Sequence, residues 1–181
     1  MRIGLTSDTH GDAAAWRDLL DGVFRGADLI VHAGDILHHG PRYRDTVDLA
    51  ALINACPCPV LFARGNCDHE EDQLRLAFPI WVPYVFLQVE GLRILAAHGN
   101  DPDEKGLLAL ARRFGAQLAV CGHTHVARLA EEDGVVLVNP GSPALPKGGV
   151  PTAAVLVGNV VRLYNLRDRA VVAERKMENG R

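Results

Sequence analysis

The sequence is short of several things, and each shortage excludes a class of protein. Its four cysteines are too few and too unevenly spaced for a disulfide framework, which points to a reducing compartment. No apolar run reaches the roughly 18–20 residues that span a bilayer, so no membrane partner is expected. Residues Met1–Asp8 lack the basic and apolar regions of a secretory signal, and the expected location is the cytoplasm. There is no basic excess: 19 Lys and Arg stand against 22 Asp and Glu, a net charge of −3, which argues against a stable nucleic-acid partner. No linker, internal repeat or low-complexity tract divides the chain, so residues 1–181 are read as a single domain. With 48% hydrophobic and 23% charged residues, the chain has the composition of an ordinary globular protein. What it does hold is eight histidines, and where they fall carries the rest of the reading.

Residues 2–7 read as a buried strand ending at Asp8. Ala13, Trp16, Leu19, Leu20, Val23 and Phe24 recur at helical spacing over residues 12–25, with Asp12 as N-cap and Gly26 as the stop. Strand-like runs at 29–32 and 60–63 and a helical pattern over 45–55 complete a β-α-β-α-β order, which predicts a parallel sheet with right-handed crossovers. The second half is richer in strands. A hairpin turns at Gly91 between 85–90 and 92–97, a helix follows at 103–114, and strands are predicted at 118–121, 135–138, 153–157 and 160–164. The Pro- and Gly-rich stretch 139–151 reads as a functional loop.

Five polar clusters follow five of these strands: Asp8-Thr9-His10, Gly34-Asp35, Gly65-Asn66-Cys67-Asp68, His98-Gly99-Asn100 and Gly122-His123-Thr124-His125. Loops beyond the carboxyl ends of strands in an open α/β sheet converge on one crevice, so the five should meet. Asp, His and Asn without an obligatory thiolate suit a borderline transition metal such as Mn, Fe, Co, Ni or Zn. Residues i and i+2 of an extended segment face one side, which would put Asp8 and His10 on one ion. The same holds for His123 and His125 unless a turn aims them apart, and Asp35 has two oxygens with which to bridge two ions. Taken singly, each cluster has an ordinary reading as a cap, a turn or a satisfied histidine; their order and placement together indicate a common metal site. His32, inside an apolar strand, reads as a core histidine with a hydrogen-bond partner, and His69 as solvent-facing. His38 and His39 are candidates for the mouth of the crevice. Cys56 and Cys58 are too close for a CxxC redox motif and read as packing residues, as does Cys121.

The pattern Asp-x-His, Gly-Asp, Gly-Asn-x-Asp, His and Gly-His-x-His resembles the signature of the calcineurin-like metallophosphoesterases. Arg64-Gly65-Asn66-Cys67-Asp68, Asn139-Pro140-Gly141-Ser142 and Pro146-Lys147-Gly148-Gly149 look similar to the small bacterial YfcE-like phosphodiesterases, and the resemblance runs from about residue 2 to residue 164. It implies an α/β (α+β) fold, a four-layer αββα sandwich of two mixed β-sheets flanked by helices. It also implies a binuclear centre of divalent ions, manganese first and Fe, Ni, Co or Zn as alternatives. Asp8, His10, Asp35 and His125 would hold the first ion, and Asp35, Asn66, His98 and His123 the second. Asp35, Asn66, Cys67 and Asp68 are the catalytic candidates, and Arg64, Asn100, Lys147 and His39 the candidates for substrate contact.

The reaction this implies has an independent physical basis. Two dications about 3.5–4 Å apart lower the pKa of a bridging water and clamp the phosphoryl oxygens during in-line attack of the hydroxide. Cys67 stands where many superfamily phosphatases carry a leaving-group histidine, and Asn100 where the small phosphodiesterases often have a second histidine. A cysteine is a poor general acid for an alkoxide, so a phosphodiesterase acting on a small phosphate ester with a good leaving group is the leading expectation. The alternatives are a phosphomonoesterase on a nucleotide or small phosphate ester, and a catalytically weak protein-binding scaffold of the same fold, since fold alone does not imply catalysis. Exposed strand edges in the second half leave a homodimer or homotetramer open.

Overall fold

The computed structural model describes residues 1–37 and 43–178. The first third folds as its alternation of apolar strands and amphipathic helices predicts. Strands β1 (Arg2–Thr6), β2 (Leu29–His32) and β3 (Val60–Phe62) run parallel, connected through α1 (Ala13–Asp21) and α2 (Tyr43–Asn54). Asp12 caps α1 by accepting from the Ala15 amide at 2.9 Å, but the helix stops at Gly22, whose amide bonds to the Asp18 carbonyl, and not at Gly26. A four-residue helix α3 (Glu70–Gln73) follows β3. The predicted hairpin is β4 (Val85–Val89) paired antiparallel with β5 (Leu92–Ala96), and then come α4 (Glu104–Phe114) and β6 (Leu118–Val120). The chain ends with β7 (Arg128–Glu132), β8 (Val135–Asn139), β9 (Thr152–Val157), β10 (Val160–Asn165) and β11 (Val171–Lys176).

These strands form two mixed sheets. The first has six strands in the order β11-β10-β9-β1-β2-β3, with β9, β10 and β11 antiparallel to their neighbours. The second has five in the order β4-β5-β6-β8-β7, parallel through β5, β6 and β8.

Side-chain alternation along each strand sets the layers. Ile3, Leu5, Leu29 and Val31 of the first sheet meet Ile94, Ala96, Leu118, Val120, Val136 and Val138 of the second in a buried core between the sheets. Ile30, Val60 and Phe62, on the other face, pack under Trp16 and Leu19 of α1 and Leu49 and Ile53 of α2. Leu95, Ala119 and Leu137 pack under Leu107, Leu108 and Ala111 of α4. The result is the four-layer αββα sandwich. Strands β7 and β11, absent from the sequence reading, are both edge strands. They carry Glu131 and Glu132, and Glu174, Arg175 and Lys176, so they lack the buried alternating face that marks the others. Among the described residues no helix is long and apolar enough to cross a membrane.

Candidate metal centre

The carboxyl ends of β1, β2, β3, β5 and β6 lie at one end of the sandwich, and the five polar loops leave from there. A backbone ladder ties the first two together: the amides of Asp8, His10 and Gly11 donate to the carbonyls of Gly34, Asp35 and Ile36 at 2.9, 3.1 and 2.9 Å. The third loop is joined to the second by Asp68. Its buried carboxylate accepts from the amides of Asp35 (3.0 Å), Ile36 (2.7 Å) and Gly65 (2.6 Å). Burial pushes this carboxyl's pKa up, and the amides pull against it. Asp68, a catalytic candidate by its motif, thus touches backbone amides and works through the loops it holds. Gly65 is needed there because a Cβ at that position would come within 3.0 Å of the Asp35 carboxyl carbon.

The side chains that converge are Asp8, His10 and His125 in one group, and Asp8, Asp35 and His98 in the other. The ligand atoms of each group lie within 4.8 Å of one another. His98 Nδ1 sits 2.7 Å from the Ala33 carbonyl, and His125 Nδ1 sits 2.8 Å from the Leu145 carbonyl. A carbonyl only accepts, so both Nδ1 atoms carry the proton and both Nε2 lone pairs face the crevice. There they meet oxygens that only accept, and the ring nitrogen of His10. His125 Nε2 is 3.2 Å from His10 Nε2 and 3.3 Å from Asp8 Oδ1, and His98 Nε2 is 3.1 Å from Asn66 Oδ1 and 3.4 Å from Asp35 Oδ1. Among the described residues, the buried Asp8 Oδ1 has no hydrogen-bond donor. Such a set is stable only with protons or cations between its members.

Titration follows the same logic. Burial works to raise the Asp35 carboxyl, but the hydrogen bond and charge of His98 and the Cys67 amide outweigh it and hold the pKa well below the carboxylate range. Burial disfavours charge on His98, yet Asp35 outweighs that too and raises its pKa. Positive charge on His98, which Asp35 favours, is charge that a dication held there would supply instead. The donor set of carboxylate, imidazole and amide oxygen, with Nδ1 anchored on backbone carbonyls, fits divalent transition ions.

His123 lies beside the second group without joining it, its ring edge-on to His98 with centroids 5.2 Å apart, while its amide donates to Asp8 Oδ2 at 3.0 Å. The Gly-His-Thr-His turn thus aims its two imidazoles at different partners. The expectation that Asp8 and His10 share a side of an extended segment is corrected. Asp8, His10, Asp35, His123 and His125 all adopt left-handed backbone, with φ between 45° and 67°. The loops curl their ligands together, at a cost on the order of 1 kcal/mol for each non-glycine residue held there.

The rim candidates fall out unevenly. The exposed Arg64 lays its guanidinium 3.7 Å from the Trp81 ring centre and anchors its amide on the Val82 carbonyl at 2.7 Å. Lys147 is exposed, its amide donates to the His125 carbonyl at 3.0 Å, and its charge lowers the pKa of His123, after burial and His98. Asn100 is exposed beyond His98. His38 and His39 lie outside the described residues. The half-buried Cys67 thiol is pushed up to about 12, first by burial and then by the Asp35 charge, so it stays protonated and gives up its proton poorly.

Several supports escaped the sequence reading. Ser142 Oγ donates to the Asp8 carbonyl at 2.7 Å, and Asn139 Nδ2 donates to the Gly122 carbonyl at 2.8 Å and to Thr124 Oγ1 at 3.0 Å. Beneath the ligands, the buried His32 accepts from the Gly34 amide through Nδ1 at 3.2 Å. Its Nε2–H therefore donates to Thr9 Oγ1 at 2.9 Å, and that hydroxyl donates to the Ile36 carbonyl at 2.9 Å. Thr9 stands between Asp8 and His10, so the core histidine expected from sequence also braces the first ligand pair.

Burial lowers the His32 pKa from 6.5 to about 3, and the unfolded chain binds the extra proton between those values. Its contribution to stability is present above pH 6.5 and is lost as pH falls toward 3. Urea unfolding of the chelated protein near pH 5 should show stability falling about 1.3 kcal/mol per pH unit more steeply in wild type than in His32→Gln. Equal slopes would mean that His32 charges as readily when folded.

The calcineurin-like phosphoesterase superfamily domain matches residues 1–159. The chain is 34% identical to phosphodiesterase YfcE of Escherichia coli K12 over 182 aligned positions, covering 96% of this chain and 97% of the relative. The solved structure of the E. coli YfcE phosphoesterase superposes with a TM-score of 0.85 at 30% identity, covering 98% of this chain and all of that one. Vacuolar Protein Sorting 29 from Cryptosporidium parvum shares the fold at a TM-score of 0.66 and 23% identity, with 97% of each chain covered.

Proposed function

The chain belongs to the calcineurin-like phosphoesterase superfamily, whose chemistry depends on divalent metal ions, and we propose that it is a phosphodiesterase with a two-ion centre. Asp8, His10, Asp35 and His125 would hold one ion, and Asp35, Asn66, His98 and His123 the other, with manganese as the metal. When bound, the ions supply an activated water and offset the charge of the phosphoryl group. The observation that carries this reading is the convergence of the His98 and His125 Nε2 atoms on the carboxylate and amide oxygens of Asp8, Asp35 and Asn66.

The chain's own groups set the rest. Ala33 and Leu145 fix the tautomers of His98 and His125, and Asp68 fixes the loop that carries Asn66 and Cys67. Arg64, Lys147 and Asn100 stand at the rim, where the two cations favour an anionic ester. Cys67, a poor general acid for an alkoxide, favours diesters with good leaving groups over alkyl monoesters. The four cysteines are free thiols, in keeping with the cytoplasm, and residues 1–181 serve this centre as one domain.

The test is hydrolysis of bis-p-nitrophenyl phosphate and p-nitrophenyl phosphate after chelation and on return of Mn²⁺. Turnover should vanish on chelation and return with the ion, with the diester cleaved about ten times faster, a difference of about 1.4 kcal/mol in barrier. Faster monoester cleavage would instead favour a phosphomonoesterase. No metal-dependent turnover of either ester would favour a binding scaffold.

A further inference from the structure

Cys56 and Cys58 lie outside the metal centre. Cys56 follows the last turn of α2, its amide bonded to the Ile53 carbonyl at 3.0 Å, and Cys58 leads into β3. The ligand-bearing loop leaves the other end of that strand. Between the two cysteines the chain bends at Pro57, and the bend turns both side chains to one side, with Sγ 3.8 Å from Sγ. The pair is unequal. Cys58 is 8% exposed and packs in the cluster beneath α1 and α2, whereas Cys56 sits half-buried at its edge. The packing role expected of both therefore describes Cys58 better than Cys56.

We propose that Cys56 and Cys58 form a dithiol that closes to a disulfide within this three-residue segment by exchange with a low-molecular-weight disulfide. The Cys56 thiolate attacks one sulfur of the small disulfide, a mixed disulfide forms, and one small thiolate leaves and takes a proton. The Cys58 sulfur, already adjacent, attacks Cys56 Sγ, the second small thiol leaves, and the Cys58 proton goes to solvent. The protein gives up two electrons and the small disulfide accepts them, with no other oxidant.

The order follows from access and from charge. Only Cys56 is open enough to meet a dissolved disulfide. The Cys58 thiol is pushed up to about 12 by burial first, and then by the charge and hydrogen bond of Cys56. Once Cys56 is in the mixed disulfide it is uncharged, those last two influences disappear, and Cys58 ionises more readily at the moment it must react. The 3.8 Å separation makes the second step intramolecular and fast, so the mixed disulfide should not accumulate.

The test uses the full chain, reduced, freed of metal and then incubated with glutathione disulfide without oxygen. Free thiols counted after denaturation should fall from four to two, with no lasting glutathione adduct, and peptide mapping should place the lost pair at Cys56 and Cys58. Cys58→Ser should trap one glutathione on Cys56, and Cys56→Ser should leave Cys58 unmodified. A stable glutathione adduct on wild-type Cys56 would overturn the proposal. So would retention of four thiols, or a bond that uses Cys67 or Cys121. The wild-type count and map decide the matter by themselves if either variant fails to fold.

Discussion

Asp35→Ala is expected to lower kcat on bis-p-nitrophenyl phosphate by at least about 100-fold, with bound metal falling in parallel. Loss of a residue that merely orients a metal ligand costs about 10–100-fold, and Asp35 is proposed to be a ligand itself, shared between two ions. Its Oδ1 lies 3.4 Å from His98 Nε2 and its Oδ2 3.8 Å from His10 Nε2, so its two oxygens address the two imidazole groups separately. Oδ1 also receives the Cys67 amide at 2.8 Å, so the variant frees one amide in the third loop. Metal content and kcat in Asp35→Ala, checked for folding by circular dichroism, separate these effects. Wild-type turnover in a folded variant would remove the shared-ligand assignment.

The second large effect falls on stability. Asp68→Ala should cost about 3 kcal/mol or more in urea unfolding with the metal chelated. Hydrogen bonds to a charged acceptor are each worth about 1.5–3 kcal/mol, and three amides would lose theirs at once. The gain from no longer burying a carboxylate offsets part of that sum. Activity should fall as well, because the loop carrying Asn66 would lose its clasp on Asp35. A loss of stability below about 1 kcal/mol would mean that water satisfies those amides when the carboxylate is gone.

The metal-site candidates were legible in sequence because each sits where an apolar run stops and a Gly, Asp or His begins. That punctuation marks the carboxyl end of a strand whatever the strand's partners are. The parallel β1-β2-β3 unit and the cap at Asp12 were legible for the same local reason. Strands β7 and β11 were not, since Arg128, Glu131 and Glu132 in one and Glu174, Arg175 and Lys176 in the other break both a continuous apolar run and a clean alternation, whereas the edge strands β3 and β4 keep apolar runs. The supports of the site were hidden by distance along the chain: Ser142 meets Asp8 across 134 residues and Thr9 meets His32 across 23. Nor does any local rule announce a non-glycine residue in left-handed backbone, which is how five of the seven candidate ligands are held. The approach of Cys56 to Cys58 likewise depends on the bend at Pro57 and not on the spacing, which by itself argued against redox chemistry.

The candidate ligands divide between the two sheets. Asp8, His10, Asp35 and Asn66 leave strands of the six-stranded sheet, and His98, His123 and His125 leave strands of the five-stranded one. Neither sheet owns a full coordination set. With only one sheet formed, neither proposed ion would have its full set of ligands. On the proposed assignment, hydrolysis would require both sheets to have closed on each other, which would tie activity to completion of the fold.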